Sequence, residues 1–78
     1  MLLVAEFEID RAPRTFSRRF CEAMRDLTSQ QDDAMVSIIT AVRAGRPIRR
    51  IECSNGTVAA RLKAAIHEIA PGLISGEN

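Results

Sequence analysis

The sequence predicts a small α+β domain, a short sheet covered on one face by two or three helices. Three observations carry that prediction. An early stretch alternates apolar and polar residues, two later stretches repeat apolar residues at helical spacing, and a β-rich run at 48–53 lies between those two. The 78 residues form one domain, 1–78, with room for a single core. A domain this small buries a modest fraction of its surface, so pairing with another copy is a natural remedy and a homodimer is expected.

The first element is a strand near 3–10. Leu3, Ala5, Phe7 and Ile9 fall on one face, and Glu6, Glu8 and Asp10 on the other. The stretch "RAPRT" turns the chain, with Pro13 unable to donate to a ladder and Thr15 placed to cap a helix. From there the spacing of Phe16, Phe20, Ala23, Met24 and Leu27 predicts a helix over 15–27. Arg18, Arg19 and Arg25 stand at helix-neighbour distance from Glu22.

Residues 30–44 admit two readings. As a helix, Ser29 caps, Asp32 and Asp33 occupy the first turn, Met35, Ile38, Ile39 and Val42 form the stripe, and Gly45 and Pro47 end it. As a strand, Val36, Ile38, Thr40 and Val42 face inward and "RAGRP" is a hairpin loop. The capping signals and the alanines favour the helix; the β-branched density of "VSIIT" favours the strand. The helix is preferred, giving the order strand, helix, helix, strand, helix, with strand, helix, strand, strand, helix as the alternative. "IRRIEC" (48–53) is then a strand, "SNGT" a break and cap, and 57–70 a helix whose Val58, Leu62, Ala65, Ile66 and Ile69 repeat the spacing of the first. Pro71 and Gly72 end it. If the two strands are neighbours, Glu6 and Glu8 are acidic partners for Arg50.

Charge and motif content exclude several function classes. Eleven basic residues against ten acidic leave a formal net charge of +1, far from the basic excess of a dedicated nucleic-acid-binding domain. The three phenylalanines, Phe7, Phe16 and Phe20, stand at core-facing positions, so bases lack a stacking platform. Two cysteines are too few for a disulfide scaffold. The apolar start "MLLVA" is too short for a signal-peptide core or a membrane span, so a cytoplasmic protein without membrane contact is expected.

No catalytic constellation is legible. Cys53 precedes a helix start and lies near Arg49 and Arg50, surroundings that activate a thiol. Seven residues separate it from Arg61, however, where a phosphatase loop has five, and a small buried side chain is the expected role. His67 lies opposite the stripe of its helix, and no cysteine or histidine spacing suits a metal. Neither an enzyme nor a cofactor is expected.

The remaining candidates are binding residues. Arg43, Arg46, Arg49 and Arg50 form a dense basic segment, with Glu6 and Glu8 as a neighbouring acidic cluster. Ser54, Asn55, Gly56 and Thr57 offer a weak anion site at a helix start, or an ordinary cap. Size, balanced charge and the arginine-bearing rim point to a non-catalytic protein-interaction module with a protein partner. A phage or mobile-element regulator or inhibitor of a host complex fits that profile, anti-CRISPR-like by class analogy only. The alternative is a nucleic-acid-binding regulator that uses Arg43 to Arg50.

Overall fold

The structure, a computed structural model, describes residues 1–29 and 33–74. The order is β1 (Leu2–Glu8), α1 (Phe16–Thr28), β2 (Val36–Arg43), β3 (Arg46–Cys53) and α2 (Gly56–Ile69), with one turn of 3₁₀ helix at Ile9–Arg11 after β1. The fold is the α+β class read from the sequence, in its strand, helix, strand, strand, helix form. The three strands make an antiparallel sheet in the order β1-β3-β2.

The preferred helix over 30–44 is corrected: 36–43 is strand β2, and residues 30–32, with Asp32, lie outside the described residues. Val36, Ile38, Ile39, Thr40 and Val42 are β-branched and stiff at χ1, which suits a pleated surface better than a helix. A two-residue turn, Ala44–Gly45, joins β2 to β3, and both residues have positive φ, 53° and 77°. That is the type I′ geometry whose twist matches a hairpin. Ser29, read as the cap of the lost helix, closes α1 instead.

β1 departs from simple alternation. The register shifts between Leu3 and Ala5, so Val4 is the extra residue of a bulge. Val4 is consequently buried and Leu3 half exposed, while Ile9 has left the strand for the 3₁₀ turn. Pro47 does no harm inside central β3, because its missing N–H would face the position where β1 has already ended.

α2 packs across β1 and β3, and α1 packs against α2. The core joins Val4, Ala5, Phe7, Ile51 and Cys53 of the sheet to Phe16 and Phe20 of α1 and Val58, Leu62 and Ile66 of α2. Phe7 meets Phe16 edge-on at 5.1 Å between ring centres, and Phe16 stacks on Phe20 at 5.7 Å. Such pairs add about 0.5–1.5 kcal/mol to their burial. Of β2, Val36 packs against the core, but farther along the helix-side face Ile38 and Val42 keep 45% and 73% of their surface exposed.

Candidate functional site

Alternation along β3 separates the two central arginines. Arg49 shares the helix-side face with Ile51 and Cys53, opposite Phe7, whereas Arg50 and Glu52 lie on the open face, opposite Glu6 and Leu3 of β1. Arg43, closing the β2–β3 hairpin against Arg46, also belongs to the open face. Of the predicted binding residues, Arg43, Arg46, Arg50, Glu6 and Glu8 are therefore brought together, and Arg49 is not.

On the open face each guanidinium already has a carboxylate. Arg43 reaches over β3 to donate to both oxygens of Glu6, and Arg50 Nη1 donates to Glu6 Oε2 at 3.3 Å. Arg50 Nε donates to Glu52 Oε2 at 2.8 Å, and Arg46 Nη1 to Glu8 Oε1 at 3.3 Å. Three arginines meet three glutamates, so the cluster is close to neutral. The hydrogen bonds from Arg43 hold the Glu6 carboxyl below its usual range; partial burial opposes them and Arg50 adds to them. Arg50 is held above its usual range, first by Glu52 and then by Glu6.

Beside this network an open cleft of about 630 Å³ runs along β1, between the hairpin turn and the segment after α2. Buried Val4, Ile48, Leu73 and Ile74 form its apolar part, and the Glu6–Arg43 and Glu8–Arg46 pairs line its charged part. It offers apolar surface bordered by both signs of charge.

Arg49 is placed differently. Its Nε is buried with no hydrogen-bond partner among the described residues, so part of its guanidinium is desolvated without compensation.

The "SNGT" residues act as structure. The Asn55 side chain accepts from Val58 N at 3.0 Å and caps α2. Ser54 Oγ accepts from Met35 N at 2.9 Å and ties the start of β2 to the end of β3. Gly56 and Thr57 are exposed in the first turn of α2. Thr15, by contrast, stands at the N-cap of α1 without a capping hydrogen bond from its side chain. Cys53 is fully buried, Cys21 is exposed, and His67 is exposed on α2.

Two features escaped the sequence reading. Glu52 joins the open-face network, and its signal was available: it stands two residues from Arg50 on one strand, hence on the same face. A second set of arginines, Arg14, Arg18 and Arg19 around the start of α1, is exposed, and none forms an ion pair among the described residues. The pairs expected from Arg18, Arg19 and Arg25 to Glu22 do not close. Among the described residues no helix is long and apolar enough to cross a membrane. Comparison with protein families, curated proteins and solved structures gives no match.

Proposed function

We propose that the protein is a non-catalytic protein-interaction module that docks a protein partner on the open face of its sheet. The observation that carries this reading is the matching of Arg43, Arg46 and Arg50 by Glu6, Glu8 and Glu52 beside an apolar cleft. A surface built to hold a polyanion leaves its cations free to neutralise phosphates. A near-neutral face with both signs of charge beside an apolar cleft suits a protein surface, where charge complementarity fixes orientation. A module of this size acts by covering part of a larger partner, which is how a regulator or inhibitor of a complex works.

One observation favours a second reading, a nucleic-acid-binding regulator. Arg14, Arg18 and Arg19 carry no ion-pair partner among the described residues, so phosphate contact would fall on α1 rather than on Arg43 to Arg50.

The test compares wild type with Arg43→Glu/Arg46→Glu and with Arg14→Glu/Arg18→Glu, all at exposed positions. Each protein is used for affinity capture and for anisotropy titration of labelled DNA and RNA. The interaction reading expects a captured protein that the hairpin variant loses and the α1 variant keeps, with no nucleic-acid binding at physiological salt. Tight binding of nucleic acid that weakens steeply with salt and vanishes in the α1 variant overturns it.

A further inference from the structure

β2 is an edge strand without the usual guards. From Val36 to Val42 it carries no charge, no proline and no bulge, the devices by which edges normally resist pairing. The other edge, β1, has all but the proline: a bulge at Val4, the carboxylates of Glu6 and Glu8, and Leu73 and Ile74 across the adjoining cleft. On β2 the side chains of Ile38, Ile39 and Val42 are 45%, 41% and 73% exposed. Three aliphatic residues on an edge that no other described residue pairs with call for a cover.

The direction of the free backbone groups follows from the hairpin. Arg43 and Arg46 close a two-residue loop, so Arg43, Ala41, Ile39 and Ser37 turn their amides and carbonyls toward β3. Met35 continues the parity, its N–H donating to Ser54 Oγ and its carbonyl accepting from Ser54 N. Val36, Ile38, Thr40 and Val42 therefore turn theirs outward, along the free edge.

We infer that the occupant of this edge is a second copy of the chain, bound antiparallel across a two-fold axis at Thr40. In that register Thr40 meets Thr40 of the other copy in a hydrogen-bonded pair, and Ile38 meets Val42 on the same face. Arg43, the one charge of β2, falls opposite Ser37 and not opposite its own copy. The edge is thus self-complementary in backbone, in apolar side chains and in charge, which a two-fold interface requires. The result is a six-stranded sheet in the order β1-β3-β2-β2-β3-β1. Its helices share one side and its two open faces the other, so the surface proposed for the protein partner stays free. An edge-to-edge contact of eight-residue strands lies at the low end of interface sizes, and a dissociation constant on the order of micromolar is expected.

Sedimentation velocity from about 1 to 500 μM tests the pairing, with amide hydrogen exchange on the same samples. The wild type is expected to pass from monomer to dimer. Protection of Ile38, Thr40 and Val42 should rise with concentration, while that of Ile39 and Ala41 stays constant. Thr40→Pro removes an outward N–H that has no partner among the described residues, so the hairpin persists; dimerisation should weaken by about 5- to 150-fold as two central hydrogen bonds are lost. Ile38→Lys should weaken it as well. A wild type that stays monomeric throughout, or a dimer indifferent to both substitutions, overturns the inference whether or not a partner docks on the open face.

Discussion

Replacing Arg49 by methionine is expected to stabilise the fold even though it removes a charge. The Arg49 Nε is buried on the helix-side face of β3, directly across from Phe7, without a partner among the described residues. A buried donor left unmade costs about 1–3 kcal/mol. Methionine keeps the aliphatic stem, removes the donor and sets a thioether beside the Phe7 ring, a contact of about 0.3–1.5 kcal/mol. Against these gains stands the lost hydration of the solvent-facing part of the guanidinium, for Arg49 is only partly buried. A net gain of about 1 kcal/mol is expected, which raises Tm by about 4–8 °C in a domain of this size. The assay is thermal unfolding by circular dichroism, at one fixed protein concentration because self-association shifts Tm. Arg50→Met is measured alongside. It leaves Glu52 without its guanidinium and Glu6 with one instead of two, so its Tm should fall. An Arg49→Met protein that melts at or below wild type refutes the reasoning.

Further outcomes follow from the open face, the turn and the thiols. Glu6 is held below its usual value of 4.5, so its contribution to stability is complete above that pH and is lost as pH falls through the folded value. The gap in urea midpoint between wild type and Glu6→Gln should therefore narrow from neutral pH toward pH about 3; a constant gap contradicts the assignment. Ala44 sits at φ 53°, where a side chain other than that of Asn or Asp is strained. Ala44→Asn creates the favoured Asn-Gly turn and should stabilise by about 0.5–1 kcal/mol, seen as a higher urea midpoint; an unchanged or lower midpoint counts against the turn geometry. With Ellman's reagent, exposed Cys21 should react quickly and buried Cys53 only as the protein unfolds; two fast thiols would contradict the burial of Cys53.

Much of the fold was legible because its signals are local. The stripes of α1 and α2 repeat every three or four residues, and the alternation of Ala5 with Glu6 and of Phe7 with Glu8 marks a strand face. β2 was harder to read. Its β-branched run asked for a strand, the acidic residues before it imitated a helix start, and the turn after it carries Ala44 where a strong hairpin signal has Asn or Asp. The bulge at Val4 was illegible for another reason: a register shift is a relation between two strands, and β1 alone does not contain it.

The candidate site divides in the same way. That Arg49 and Arg50 point to opposite faces of β3 was determined by the sequence alone, since the period of a strand is two. That Arg43 meets Glu6 depends on the order β1-β3-β2, which sets two residues 37 positions apart on one face, across the central strand. The neutrality of the arginine cluster comes from that order. So does the exposure of β2 beyond Val36, because the core forms over β1 and β3 and leaves Ile38 and Val42 uncovered. Periodicity is written in neighbours a few residues apart and survives in any fold that keeps the element. Which charges meet, and which edge is left open, is decided when distant segments pack, because only packing makes them neighbours.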